Sequence, residues 1–496
     1  MHPFLAVDLG AESGRVILGE LDHGKLSLEH LHRFPNIPVR LPTGLYWDTL
    51  RLWQEVLAGL RVAGHDRGLK PLGIGVDTWG VDIALLGGDG ALVDNPRHYR
   101  DTRNNGVPEK TFAAVPKQEI FAQTGIQFMQ INSLYQWYAM KLAASPSLAA
   151  ARTLFFMPDL FNYFLTGVRH AELTIASTSQ FYNPAARCWA SELLQNLHLD
   201  AGLLPEIVAP GARLGTILPY VAGATGLPSD TMVYAAPAHD TASAVAAVPA
   251  TREGWCYISS GTWSLMGVES REPFLDETAM KLNLTNEVGV DGRIRLLKNI
   301  MGLWPLQECR RDWAAQGEDR GYDQLTEMAA GAEPFAAVIN PDAFLEPGQM
   351  PRRIAQFCQS TGQTEPKAPG VVTRVILESL ALRYRQVLES LERLTGRAID
   401  VVHIVGGGSR NRLLNQFVAD CTGRKVIAGP TEATAAGNIL VQAMGAGLVK
   451  DLEEIRQIVA RSFPLEEFRP NPQRGWDRAY GEFLRVAQAS GLQQAD

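Results

Sequence analysis

Two stretches half a chain apart have the same layout. LAVDLGAESGRVILGE begins at Leu5 and CYISSGTWSLMGVES begins at Cys256. Each is a run of apolar residues that meets a glycine, Gly10 or Gly261, then a hydroxyl residue and a second apolar run. Apolar runs broken by a tight glycine turn read as a hairpin of buried strands. One such unit used twice implies two similar domains facing each other. The division then falls near residues 243–255, giving an N-terminal domain of residues 1–245 and a C-terminal domain of residues 246–496. The alternative is a chance likeness between two unrelated hairpins.

The remaining pattern is that of an α/β protein. FLAVDLG reads as a strand, and RVILGELDHGKLSLEHLHRF as strands joined through an Asp-His-Gly-Lys turn. LGIGVDTWGVDIALLGGDGALV reads as a further strand pair with a Gly-Gly-Asp-Gly turn. VVHIVGGG is a strand running into glycines, and RNRLLNQFVADCTG after it has helical spacing. GVVTRVILESLALRYRQVLESLERLTG predicts a long helix. Strands alternating with helices indicate an α/β fold.

Composition narrows the function classes. A net charge of −7 with no basic block gives no broad attraction to nucleic acid or anionic membrane. No stretch of 18 residues is continuously apolar, and MHPFLAVDLG lacks the pattern of a signal peptide. The five cysteines, Cys188, Cys256, Cys309, Cys358 and Cys421, are scattered and form no metal or disulfide pattern. A soluble cytoplasmic protein is expected, with its oligomeric state open.

The chemistry must come from other residues. A Walker phosphate loop and the zinc motif H-E-x-x-H are both absent, and GGGSRN at Gly406 only partly matches a dinucleotide fingerprint. The first hairpin offers a different device. Gly10, Ala11, Ser13 and Gly14 at its tip present backbone N–H groups and a hydroxyl, a concave donor set suited to a phosphate. Arg15 adds a charged fork, and Asp8 could reach Mg²⁺ directly or through water. The second hairpin offers Ser259, Ser260, Gly261 and Thr262, so two facing tips could grip one polyphosphate. The plain reading is a pair of ordinary glycine turns.

Asp240, in APAHDTASAVAAVPA, also has two readings. It is a reasonable helix N-cap, although no Glu or Gln follows three residues on. Local sequence favours the cap, but the carboxylate could also orient an alcohol and accept its proton during phosphoryl transfer. His239 beside it is either a structural histidine or a direct participant. VDTWGVD and HYRDTR place Asp77, Trp79 and Asp82, and Arg100, Asp101 and Arg103, where polar forks beside aromatic walls suit a sugar. A surface ion-pair cluster with a core tryptophan accounts for the same residues.

Taken together, AVDLGAESGRV, GVDTWGVD, YRDTR, TGIQF, MPDLFNYFLTG, HDTASAV, SSGTWSLMG, KNIMGLW and HIVGGGSRNRLLNQFVAD resemble the FGGY carbohydrate kinases nearly end to end. HDT and VGGGSRN are general to several sugar kinases, whereas DTWGVD, SSGTWSLMG and KNIMGLW are similar to those of the members acting on L-rhamnulose. The resemblance implies two actin-like (ribonuclease-H-like) ATPase domains around an interdomain cleft, the sugar on the N-terminal side and the nucleotide on the C-terminal side. It implies ATP- and Mg²⁺-dependent phosphorylation of the 1-hydroxyl of L-rhamnulose in L-rhamnose degradation. By motif match Asp240 is the proton acceptor. Gly80, His239, Thr241 and Asn299 fall at sugar-contacting positions. Ala11, Glu12, Ser13, Gly14, Arg15, Thr262, Gln307 and Gly407 fall at nucleotide-contacting ones. Trp79, Trp263 and Trp304 are candidates for an apolar contact to the 6-methyl group. Other substrates remain open, such as L-fuculose or xylulose, as does a non-enzymatic actin-like ATPase.

Overall fold

Both hairpins form, and each seeds a sheet of the same order. The structure is a computed structural model describing residues 2–471 and 475–489. In the first hairpin β1 (His2–Leu9) pairs antiparallel with β2 (Ser13–Asp22), and β2 pairs with β3 (Lys25–Pro35). The Asp-His-Gly-Lys turn is present, with His23 and Gly24 at φ 47° and 71°, the left-handed pair a two-residue hairpin loop requires. Beyond β1 the sheet continues with β4 (Gly73–Thr78), β5 (Arg213–Thr216) and β6 (Met232–Tyr234), in the order β5-β6-β4-β1-β2-β3.

The second sheet starts from β7 (Trp255–Ser260) and β8 (Trp263–Ser270). It adds β9 (Thr285–Val288), β10 (Ile294–Met301), β11 (Val401–Val405), β12 (Lys425–Ala428) and β13 (Glu466–Phe468) in the order β9-β10-β8-β7-β11-β12-β13. The orientations correspond as well. β1 and β7 each pair antiparallel with the next strand and parallel with a strand from later in the chain, β4 or β11. The next neighbours, β6 and β12, are again parallel, and the outermost, β5 and β13, antiparallel. Only β9 has no counterpart in the first sheet.

The expected pairing across the Gly-Gly-Asp-Gly turn forms as a short antiparallel bridge between Leu86 and Leu92, with Gly87 N donating to the Ala91 carbonyl (2.9 Å) and Val93 N to that of Leu85 (2.9 Å). GIGVDT and IALL are both strands, and they do not pair with each other. The first is β4; Ile83–Leu86 also pairs antiparallel with Thr153–Phe156. Between them Val81 turns the chain at φ 70°. Asp82, inside the protein, accepts hydrogen bonds from the indoles of Trp47 (2.5 Å) and Trp79 (2.9 Å) and from Gln136 (2.9 Å). A loop anchored this firmly carries the chain away from β4.

The two sheets meet across a shared core. It contains Phe4, Ala6 and Ile17 of the first sheet, Tyr257, Leu265, Leu297 and Val405 of the second, and the alanine-rich helices α1 (Asp240–Ala246) and α5 (Ala433–Gly445). Although α5 comes late in the chain, it lies on β1 and β4 and crosses α1. The crossing is close: a methyl group at Gly437 would stand 1.8 Å from the Ser243 carbonyl oxygen. On the far side of the second sheet, α2 (Trp304–Ala315), the long α3 (Pro369–Thr395) and α4 (Arg412–Thr422) form a separate core; α3 and α4 are the two helices the sequence predicts there. Among the described residues no helix is long and apolar enough to cross a membrane.

Candidate active site

The two hairpin tips face a single cleft of about 370 Å³, a size typical of a small-molecule site. Their backbones are prepared alike. At the first tip Asn36 Nδ2 donates to the Gly10 carbonyl (2.9 Å) and Asn36 N to that of Glu12 (2.9 Å). At the second, Leu303 N and Trp304 N, at the start of α2, donate to the carbonyls of Gly261 (3.0 Å) and Thr262 (3.2 Å). Each tip thus has its carbonyls drawn back. In a trans peptide the N–H points opposite to the carbonyl, so the amides of Ala11 and Thr262 are turned away from these anchors. Oriented amide donors of this kind favour an anion.

Asp8, Ala11, Glu12, Ser13, Arg15, Gly80, His239, Asp240, Thr241, Thr262, Asn299, Gln307 and Gly407 all line this cleft. Gly14 does not. A methyl group there would lie 2.3 Å from the Phe34 ring and 2.9 Å from Leu9, so its smallness serves packing behind the tip. Gly407 borders open space, whereas a methyl at Gly408 would strike the Ser260 hydroxyl oxygen at 2.0 Å. The buried Gln307 Oε1 has no hydrogen-bond partner, a polar atom left available inside the cleft.

Arg15 lies opposite Asp8 in the β1–β2 register and bridges two carboxylates, Asp8 Oδ2 (2.5 Å) and Glu432 Oε2 (2.6 Å). Burial raises the Asp8 pKa above the usual carboxylate value, with Arg15 opposing the rise. Asp77, next to Asp8 across β1 and β4, is raised well above, by burial first and then by the Asp8 charge. Asp8 and Glu432 in the lining thus share Arg15, and Arg33 also borders the cleft. An oxygen-rich, electron-rich set with Asp8 at its floor fits a hard divalent cation such as Mg²⁺, which prefers oxygen ligands. Among the described residues no group of three or more His, Cys, Asp or Glu side chains is arranged to hold a metal.

Asp240 is the first residue of α1, and the cap is His239, whose carbonyl accepts from Ala242 N (2.7 Å) and Ser243 N (3.2 Å). The N-cap reading of Asp240 is thus displaced by one residue, and its carboxylate is not used to cap the helix. A carboxylate in the first turn is still favoured by the helix dipole. Oδ1 accepts from the Thr241 hydroxyl (3.1 Å) and lies 3.6 Å from His239 Nε2. Behind it the backbone is held firmly. Thr78 N donates to the Ala238 carbonyl (2.9 Å). Buried Glu172 accepts on one oxygen from Ala238 N (3.1 Å), Ile175 N (3.1 Å), Thr174 N (2.8 Å) and the Thr174 hydroxyl (2.6 Å). That hydroxyl in turn accepts from His239 N (3.2 Å).

Other expected residues are placed elsewhere. Trp79 and Trp263 line the cleft; Trp304 does not and lies beneath Arg100, 4.1 Å from ring centre to guanidinium. Asp101 and Arg103 are not in the cleft lining. Asp101 is engaged by Leu45 N and Arg103 N, and Arg103 by Gln136, so the HYRDTR fork is structural. Asp77 and Asp82 are buried behind the cleft wall. Sequence reasoning missed Glu432, Glu287 and Gln127, which all line it. Gln127 Oε1 accepts from Asn299 N (2.9 Å) and Nδ2 (3.3 Å). Gln127 stands within TGIQF, so a signal was present; Glu432 and Glu287 carry no motif.

Comparison with known proteins agrees with this geometry. The N-terminal domain profile of the FGGY family of carbohydrate kinases matches residues 4–247, and the C-terminal domain profile residues 256–446. The chain belongs to the FGGY family of carbohydrate kinases, ATP-using enzymes that phosphorylate sugars. Within the family, the rhamnulokinase of Bacteroides thetaiotaomicron is 46% identical over 97% of this chain and 98% of its own. That of Oceanobacillus iheyensis is 40% identical over 93% and 97%. Among solved structures, the xylulose kinase of Lactobacillus acidophilus (TM-score 0.81, 15% identity, 99% of each chain) and the ADP complex of Plasmodium falciparum glycerol kinase (TM-score 0.77, 14% identity, 99% of each chain) share the fold.

Proposed function

We propose that this enzyme transfers the γ-phosphoryl group of ATP to the 1-hydroxyl of L-rhamnulose, giving L-rhamnulose 1-phosphate and ADP in L-rhamnose degradation. The observation that carries this reading is the meeting, in one cleft, of two anion-ready hairpin tips with an ionisable carboxylate rigidly held at a helix start. End-to-end similarity to rhamnulokinases supports the choice of sugar. The ketose is held on the side of Gly80, His239, Asp240, Thr241 and Asn299, and ATP on the side of Thr262, Gln307 and Gly407. The five free cysteines suit a reducing compartment, and we place the enzyme in the cytoplasm.

In the reaction the bond from the sugar oxygen to the γ-phosphorus forms as the bond to the β–γ bridging oxygen breaks. Asp240 takes the proton of the attacking hydroxyl. Its Oδ1 is already held by Thr241, which leaves Oδ2 free to receive that proton. The tip amides and the Ser13 hydroxyl bind phosphate oxygens, and positioning accounts for most of the acceleration. Asp8 would hold Mg²⁺, which when bound offsets phosphate charge. Trp79 and Trp263 supply apolar walls.

The test is ADP release across a panel of ketoses. L-Rhamnulose should be preferred at least tenfold in kcat/KM over L-fuculose and xylulose, and Asp240→Asn should lower turnover with the best sugar by at least a hundredfold while ATP still binds. Preference for another ketose would overturn the substrate, and near-normal turnover of the variant would overturn the base.

A further inference from the structure

His239 has a second neighbourhood, on the side of the ring away from Asp240. Its Nδ1 lies 3.3 Å from Arg295 Nη2, in hydrogen-bonding geometry, and 3.3 Å from Glu287 Oε2. The two partners come from the second sheet, Glu287 on β9 and Arg295 on β10, opposite each other in register. Arg295 is wholly buried, and its Nη2 also lies 3.1 Å from Glu287 Oε2 and donates to the Val288 carbonyl (3.3 Å). Glu287 Oε2 is buried without an aligned hydrogen bond. Burial tends to raise the Glu287 pKa, but neighbouring groups, the Arg295 charge first among them, more than offset this and hold it below the usual value.

The chemistry of these groups fixes a proton. A guanidinium has only N–H donors and keeps its charge at any pH a protein survives. When Arg295 donates to Nδ1, that nitrogen must present its lone pair. The neutral ring then carries its hydrogen on Nε2. Nε2 is the atom on the cleft side: it is 3.6 Å from Asp240 Oδ1, and a methyl group at Gly80 would stand 3.4 Å from it. Glu287 balances the Arg295 charge without needing the ring's proton.

We infer that the buried Arg295–Glu287 pair is a positioning device that locks His239 in its Nε2–H tautomer, so that a pair from the second half of the chain holds an imidazole N–H donor of the first half in the ketose pocket beside Asp240. Through that N–H, His239 would donate to a ketose oxygen, while the Thr241 hydroxyl holds Asp240 Oδ1 and leaves Oδ2 for the transferred proton. The inference rests on the proposed sugar site but not on the identity of the sugar.

The tautomer is read directly by two-bond proton–nitrogen correlation spectra of the full-length protein labelled in its histidine rings, ligand-free at pH 8, with His239 assigned by its loss in His239→Gln. A hydrogen on Nε2 and a bare Nδ1 are expected; a hydrogen on Nδ1 would overturn the inference whatever sugar the panel selects. Kinetics give an independent readout with the best ketose of that panel. His239→Gln sets an amide nitrogen near the place of Nε2, and His239→Asn near that of Nδ1. The first should retain at least tenfold more kcat/KM for the ketose, and equal or reversed values would count against the proposal. In Arg295→Met the ring should move its hydrogen to Nδ1, facing Glu287, with KM for the ketose up at least fivefold and KM for ATP within twofold. An unchanged tautomer in that variant, once folded, would sink the idea; if it does not fold, the wild-type spectrum decides.

Discussion

A shift of one residue decides what Asp240 can do. Were it the cap, its carboxylate would be spent on the amides of its own helix. As the first helical residue it keeps one oxygen free, while His239 caps through its carbonyl. The residue that makes this stiff is Glu172, which gathers the amide of Ala238 and, through Thr174, that of His239. Burial pushes Glu172 up from 4.5 to about 7, against the hydrogen bonds it accepts. The folded protein therefore binds this proton more tightly than the unfolded chain, and the associated stability is present below pH 4.5 and lost as pH rises through about 7. Glu172→Gln keeps an acceptor oxygen but cannot ionise. Between pH 4.5 and pH 8 the wild type should lose about 3 kcal/mol relative to this variant. Urea midpoints of both proteins at pH 5 and pH 8 check it, and a gap that runs the other way would refute it. At this scale the sequence was legible where chemistry sits in a motif, as at Asp8, Asp240 and Asn299. Glu172, Glu287 and Glu432 were hidden, because what makes each matter is a partner 66, 8 or 417 positions away, and that proximity exists only after folding.

At the scale of elements, the hairpins were the most readable part, since a period of two and a glycine turn are local signals. The second partner of IALL, Thr153–Phe156, was unreadable for the complementary reason: which distant strand a strand meets is settled by tertiary anchors, here Asp82 against two indoles. Equally unreadable was α5, whose run of alanines is compatible with any buried helix but which lies on the first sheet although it comes late in the chain. Its composition becomes intelligible at the crossing with α1. Asn438 donates to Asp77 (2.5 Å) and Gln442 to the Leu5 carbonyl (3.0 Å), so α5 is pinned to β4 and β1 and cannot slide away. Gly437→Ala would then drive a methyl group into the Ser243 backbone at 1.8 Å. Overpacking of this kind costs about 1–3 kcal/mol, and more where backbone must move. Because α1 carries Asp240, the variant should lose turnover by tenfold or more along with several degrees of melting temperature. A melting curve and turnover both matching the wild type would show that the crossing can relax.

The whole molecule repeats one sheet plan on either side of a shared core, and that much was foreshadowed by the echo between Leu5 and Cys256. How the halves meet around the cleft was not, because the contacts join side chains with no common motif. Glu12 of the first tip pairs with Arg311 of α2 (2.7 Å). Arg100 stacks on Trp304 at 4.1 Å and donates to the Leu345 carbonyl. The α1–α5 crossing is packed backbone to backbone, whereas these two contacts rest on single long side chains. The halves should therefore part at the polar contacts and pivot about the crossing. An exposed ion pair contributes about 0.2–1 kcal/mol and a partly desolvated cation–π contact about 0.5–2 kcal/mol. Together they bias closure by roughly 1–3 kcal/mol, or about 5- to 100-fold in population at 1.4 kcal/mol per decade. The double variant Arg100→Ala/Arg311→Ala should then show a larger radius of gyration in ligand-free solution scattering. KM should rise several-fold for both the ketose and ATP, because each ligand must draw on its binding energy to close the cleft. Melting temperature should move by only a few degrees, since the shared core is untouched. Scattering and both KM values unchanged from the wild type would mean that the shared core and the remaining contacts across the cleft, Arg15–Glu432 and Gln127–Asn299 among them, set the angle between the halves.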